Sequence, residues 1–171
     1  MENTFGADDL RRFVAPEFIF GVGARHLAGR AAKNLGATRV LVVTDAGVLA
    51  AGWTGQVVET LRAAGVWTEI FDGVTPNPRV QEVRVGTEAY DRARCNAIVA
   101  VGGGSPMACA KGIGVACVTG RDILEFEGAD TVQVPPPPLI CVPTTAGSAA
   151  EVSQYAIFTD LDRGVKLSVI S

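Results

Sequence analysis

The sequence is poor in the groups that most metal, thiol and polyanion chemistries require. It carries a single histidine, His26. A metal site needs several converging ligands, so His26 cannot found one. Four cysteines occur, at Cys95, Cys109, Cys117 and Cys141. None falls in a CxxC pair and each has apolar neighbours, which reads as buried, reduced thiols of a cytoplasmic protein. A nucleophilic cysteine would need a nearby base, and His26 is far away in sequence. There is no Lys/Arg run and the formal net charge is -3. The basic stripe expected of a nucleic-acid-binding protein is therefore missing. No apolar stretch reaches the roughly 18 residues that would span a membrane. The first residues, Met1-Glu2-Asn3-Thr4, are polar and lack the order of a signal peptide. No internal repeat is present.

What is present suits one ordinary domain with a sizeable core. The chain has 171 residues, 48% of them hydrophobic, and a mean hydropathy of +0.28. That composition excludes a largely disordered chain. A single domain over residues 1–171 is expected, with residues 1–15 as a candidate flexible arm. The 20 glycines indicate many tight turns or close backbone contacts. Pro135-Pro136-Pro137-Pro138 fits neither helix interior nor central strand, and reads as a stiff extended connector.

Periodicity places the elements. Glu17-Phe18-Ile19-Phe20 reads as a first short strand. Residues 24–35 have helical spacing and stop at Gly36. The β-branched run 39–44 is typical of a parallel strand buried on both faces. A helix over 54–64 ends at Gly65, and a strand follows over 67–71. The rigid loop Thr75-Pro76-Asn77-Pro78 leads into an amphipathic helix over 79–93. Residues 96–101 form another buried strand. Pro106 at a first helical position predicts a helix over 106–118. Residues 139–142 read as a strand, and 154–159 with 165–170 as a hairpin. Strands alternating with helices imply an α/β fold, a doubly wound and mostly parallel sheet with a C-terminal β-hairpin.

Ligands of such sheets bind beyond the carboxyl ends of the strands. That rule selects three loops. In Val101-Gly102-Gly103-Gly104-Ser105, consecutive glycines let the backbone approach an anion. The following helix N-terminus offers unpaired N–H groups and a positive dipole end. Ser105 could cap that helix and donate to a phosphate oxygen. The alternative is a plain tight turn, weakened by the strand before it and the proline after it. Asp45 either accepts hydrogen bonds from ribose hydroxyls or caps the following turn, and the sequence does not choose between them. Thr144, Thr145 and Ser148 form a hydroxyl-rich loop that suits a cofactor or an ordinary turn. Lys166, in an alternating strand, reads by default as solvated.

Two longer segments carry a resemblance. Gly102-Gly103-Gly104-Ser105-Pro106-Met107-Ala108-Cys109-Ala110-Lys111 resembles the GGGSxxDxAK motif of the iron-containing (group III) alcohol dehydrogenases. Pro143-Thr144-Thr145-Ala146-Gly147-Ser148-Ala149-Ala150-Glu151-Val152 resembles their PTTAGTxxEVT segment. Phe20-Gly21-Val22-Gly23-Ala24 and Val43-Thr44-Asp45 match in place and order, so the resemblance runs from about residue 16 to the end. It implies a Rossmann-like domain of an NAD(P)-dependent oxidoreductase that interconverts an alcohol and an aldehyde. Asp45 would meet the adenosine ribose and favour NAD over NADP, and Asn77 would line the adenosine side. Gly103, Gly104 and Ser105 would hold the diphosphate. Thr144, Thr145 and Ser148 would contact the cofactor, and Lys166 would approach the ribose.

Two departures stand out. Ala108 occupies the position where the family usually has Asp, and a methyl group cannot accept a hydrogen bond. The family's divalent metal, commonly iron, is held by one Asp and three His in a C-terminal helical domain downstream of the hairpin. This chain stops at Ser171 before any of them. The expectation is a cofactor domain that belongs to a longer enzyme and is inactive on alcohol alone. The competing reading is a regulatory or nucleotide-binding protein without catalysis. A related glycerol dehydrogenase or sugar-phosphate cyclase is a third. Apolar surface on an isolated domain would favour a homo-oligomer.

Overall fold

The computed structural model describes residues 16–129 and 131–170. The arm expected over residues 1–15 lies outside the described residues. Four parallel strands form the main sheet: β1 (Arg39–Val43), β2 (Trp67–Phe71), β3 (Ala97–Gly102) and β5 (Leu139–Pro143), in the order β2-β1-β3-β5. The two central strands, β1 and β3, are the β-branched apolar runs. Apart from the partly buried Arg39 they are buried throughout, because helices cover both faces.

Side chains alternate across a strand, so each central strand feeds two cores. Leu41, Val43, Ile98 and Ala100 pack on one face with Val83 of α4 (Val80–Arg92) and with Met107 and Ile113 of α5 (Gly104–Thr119). Val40, Val42, Val99 and Val101 pack on the other with Ala28 and Ala32 of α1 (Ala28–Asn34) and with Val57 and Leu61 of α3 (Trp53–Ala63). Fully burying one such Val or Leu contributes about 1.5–3 kcal/mol. Helices on both faces of a parallel sheet make this the doubly wound fold expected from the sequence.

The hairpin, β6 (Tyr155–Asp160) and β7 (Val165–Ile170), is antiparallel. With β4 (Gly128–Ala129) it forms a separate sheet of order β4-β7-β6 rather than extending the main one. Ala156, Phe158, Leu167 and Val169 are buried against the α4–α5 core, which leaves the alternate residues of β6 outside. Residues 135–138 belong to no helix or strand and lead straight into β5, and Pro138 O accepts from Ile98 N at 2.9 Å.

The structure corrects the sequence reading at four places. Residues 17–20 form no strand: they are exposed and have no strand partner among the described residues. A β-prone tetrapeptide without a ladder to join has nowhere to place its N–H and C=O groups except water. The first helical segment opens with a 3₁₀ turn over Ala24–Leu27 before α1 begins. A short helix, α2 (Ala46–Ala50), follows Asp45, where no helix is expected. Finally, α5 starts at Gly104 rather than at residue 106, so Pro106 is its third residue. Proline is tolerated there because the first-turn N–H groups have no intrahelical acceptor.

Candidate functional site

The carboxyl ends of β1, β3 and β5 deliver Asp45, the Gly102–Ser105 turn and the Thr144–Ser148 loop to one edge of the sheet. Gly102 ends β3 with φ of 149°, and Thr144 N donates to its carbonyl at 2.9 Å. A Cβ on Gly102 would sit 2.6 Å from Pro106 Cγ. One on Gly103 would sit 3.0 Å from Thr145 Oγ1. The turn is therefore a bare backbone strip enclosed by a ring and a hydroxyl, without room for side chains.

Gly103 is the N-cap of α5, and no side chain caps it. This corrects the capping role expected for Ser105, which lies inside the first helical turn. The N–H groups of Gly104 and Ser105 consequently have no intrahelical acceptor, and Pro106 contributes no N–H at all. A 16-residue helix adds the positive end of its dipole at the same point. What the backbone offers here is a pair of donors for an anion.

Asp45 is half-buried and caps α2, its Oδ1 accepting from Val48 N at 2.9 Å. The capping alternative is thus realised, but with one oxygen. Oδ2 lies toward Gly102, 3.5 Å from where a Cβ on that residue would stand. Thr144, Thr145 and Ser148 are exposed along the opposite wall. Lys166 is not simply solvated: its Nζ donates to Asn77 Oδ1 at 3.0 Å, across 89 residues of sequence. Thr159 N donates to Pro78 O at 2.8 Å, which ties the Asn77 loop to the hairpin. Asn77 holds φ of 57°, a conformation that Asn adopts more readily than most residues.

These groups line one groove in two compartments. The first, about 570 Å³, runs between Asp45, Val74, Pro76, Gly103 and Thr145. The second, about 360 Å³, runs between Asn77, Ala108, Ser148, Tyr155 and Lys166. Both contain Gly104 and Ser105, so the glycine turn stands at the junction. Asn77 lines the second compartment together with Lys166, because its loop is fixed to the hairpin.

Sequence reasoning missed Val74, Pro76 and Tyr155. The first two were within reach, because β2 is parallel to β1 and its carboxyl end faces the same edge. Glu82 of α4 holds that loop in place, accepting from Thr75 Oγ1 at 2.6 Å.

The thiols offer no competing site. Burial pushes Cys95 and Cys141 up to about 11 and Cys117 up to about 12, so none supplies a thiolate near neutrality. Among the described residues, no three His, Cys, Asp or Glu side chains converge to hold a metal ion. No helix among them is long and apolar enough to cross a membrane.

A profile described as iron-containing alcohol dehydrogenase matches residues 15–171. The chain is 40% identical over 155 residues to a 1,3-propanediol dehydrogenase of Klebsiella pneumoniae, covering 90% of this chain and 40% of that protein. The structure superposes on a crystal structure of 1,3-propanediol oxidoreductase with a TM-score of 0.91 and 38% identity, covering 95% of this chain and 43% of the other. A sulfoacetaldehyde reductase from Bifidobacterium kashiwanohense, in complex with NAD+, superposes with a TM-score of 0.83 and 28% identity over 95% and 43% of the two chains. The chain spans about two-fifths of the length of such relatives. On the match of nearly its whole length in both sequence and fold, the chain belongs to the iron-containing alcohol dehydrogenase family.

Proposed function

We propose that the groove binds NAD, its diphosphate lying over Gly103, Gly104 and Ser105. The observation that carries this reading is the bare N-terminus of α5 at the junction of two compartments, which gives a diphosphate between two nucleosides a place on each side. The cradle fits the group, since any Cβ on Gly103 would crowd the Thr145 hydroxyl at 3.0 Å. Thr144, Thr145 and Ser148 supply hydroxyls from the facing wall. Asp45 Oδ2 accepts from the adenosine ribose, and Lys166 with Asn77 orients the second ribose. The relative solved with NAD+ supports the choice of cofactor.

For the whole protein we propose oxidation of an alcohol to an aldehyde, or the reverse, as the names of its alcohol- and aldehyde-converting relatives suggest. Bound NAD would supply a hydride acceptor at the second compartment. The divalent metal implied by the family finds no ligand cluster among the described residues, and no step is assigned to it. Ala108 on the second compartment favours one other reading, a nucleotide-binding protein without turnover, because a methyl group accepts no hydrogen bond there. Alcohol-dependent NADH production by the full-length protein separates the two.

Fluorescence titration tests the cofactor reading. NADH is expected to bind saturably, and NADPH at least about tenfold more weakly, because Asp45 would repel a 2′-phosphate. Asp45→Ser keeps a capping oxygen and removes the charge. It should narrow that preference toward unity. Equal binding of both cofactors by the unaltered chain would sink the role of Asp45.

Self-association belongs to the same proposal. Leu161 in the hairpin turn, Val165 beside it, and Tyr155 and Ile157 on the other face leave apolar side chains exposed. Light scattering over a concentration series should show dimers or larger species, and a monomer throughout would refute this. A cytoplasmic location is also proposed, on the support of four free thiols.

A further inference from the structure

The loop between β5 and β6 carries Thr144, Thr145 and Ser148, yet it has few ties to the rest of the fold. Its start is held by the bond from Thr144 N to Gly102 O. The other described hydrogen bonds of residues 145–152 stay inside the loop: Ala150 N to Ser148 Oγ, and Val152 N and Ser153 N to Ala149 O. Ala149 itself sits at φ of 50°, so the loop is not in a relaxed conformation. Ala150 packs against the core, and among the described residues one side chain from outside hydrogen-bonds the far end. Lys111 of α5 donates to the carbonyl oxygen of Ser153 and, at 3.2 Å, to that of Tyr155.

We propose that Lys111 is a positioning residue for the cofactor groove, clamping the 144–154 loop to the helix whose first turn carries Gly104 and Ser105. The inference rests on the cofactor reading above. Lys111 lines neither compartment, so it acts through the loop and not on the cofactor. A lysine ammonium has three donors and no acceptor, which suits the carbonyls of Ser153, just before β6, and of Tyr155, its first residue. Charge-assisted bonds of this kind are the strong ones, more so when partly buried. The clamp sits about two turns along α5 from Gly104. Loop hydroxyls and helix N–H groups are thereby held on one rigid element. The close fit of Thr145 over Gly103 and of Ser148 over Gly104, whose Cβ atoms would meet at 3.5 Å, depends on that registration.

The charge on Lys111 gives the clamp a pH signature. Burial lowers its pKa from the ordinary 10.5, opposed by Cys141 on β5 and Glu151 in the loop. Deprotonation removes the charge from both bonds, so cofactor affinity should fall as pH rises through the lowered pKa toward 10.5. The stability contribution has the opposite sign. The folded chain holds this proton less tightly than the unfolded one, so the penalty of burying the charge is relieved as pH rises through the same window. Loss of affinity without loss of stability from this group marks a clamp rather than a merely structural lysine.

Hydrogen–deuterium exchange and NADH titration of Lys111→Met and Lys111→Arg test the assignment. In the Met variant, amides of residues 145–153 should exchange on the order of tenfold faster, with β3 unchanged, and the NADH Kd should rise on the order of tenfold. The Arg variant should stay within about threefold of the unaltered chain and lose the alkaline fall in affinity, since guanidinium does not titrate there. Unchanged loop exchange in the Met variant overturns the proposal. If the Met variant does not fold, an alkaline fall that persists in the Arg variant overturns it and its disappearance supports it. Faster loop exchange in the Met variant, with no NADH binding even by the unaltered chain, would keep the clamp and sink the cofactor reading.

Discussion

Gly102→Ala is expected to lower NADH affinity on the order of a hundredfold and stability by about 2–4 kcal/mol. Two costs add. At φ of 149° an alanine is strained whatever space surrounds it. The new methyl would also stand 2.6 Å from Pro106 Cγ and 3.1 Å from Pro106 Cβ. Pro106 is buried in the first turn of α5 and its ring cannot rotate away. Relief requires α5 to tilt, and that displaces the Gly104 and Ser105 N–H groups from the junction of the two compartments. Urea unfolding reads the stability cost and NADH fluorescence the binding cost. Adding Pro106→Ala removes the ring and should return part of both losses, because the two positions are in contact and their effects do not add. Full NADH affinity in Gly102→Ala would show that the turn does not hold the cofactor.

Gly29→Ala should destabilise the fold by about 3 kcal/mol, at the upper end for an added methyl group. The general rule runs the other way: alanine inside a helix is usually favoured over glycine by about 0.5–1 kcal/mol. Contact geometry decides the sign here. A Cβ on Gly29 would lie 2.0 Å from Thr60 O and 2.5 Å from Thr60 C. Both are backbone atoms of α3, so no side chain can swing clear. Helices α1 and α3 would have to separate, opening the face where Ala32, Val57 and Leu61 are buried. They would also lose the bond from Gly29 N to Thr60 Oγ1. A midpoint of urea unfolding equal to or above that of the unaltered chain would contradict this packing. The lesion is on the opposite face of the sheet from α5, so NADH affinity of the folded fraction should stay near that of the unaltered chain.

The central sheet was legible because β1 and β3 are buried on both faces, and only apolar, β-branched runs tolerate that. Residues 17–20 have similar local chemistry but no ladder, and pairing is not a local property. Helix α2 has five residues, too few for periodicity to register, and it depends on the Asp45 cap. Helix α5 starts two residues before the position that Pro106 predicts, because proline fits anywhere in a first turn, not only at its first position. Within the groove, each loop could be found from the carboxyl-end rule, since the parallel sheet aligns the strand ends. The pairing of Lys166 with Asn77 could not, because 89 residues separate them and alternation in β7 marks Lys166 only as exposed. The double use of Asp45, one oxygen for the cap and one toward Gly102, joins two readings that compete in the sequence and coexist in space.

Backbone amide NMR of the chain during titration with NADH tests the placement of the diphosphate most directly. Saturable shifts are expected to be largest at the amides of Gly103, Gly104 and Ser105, with smaller ones at Thr144, Thr145 and Ser148. Saturable NADH binding that leaves the Gly104 and Ser105 amides unmoved would contradict it.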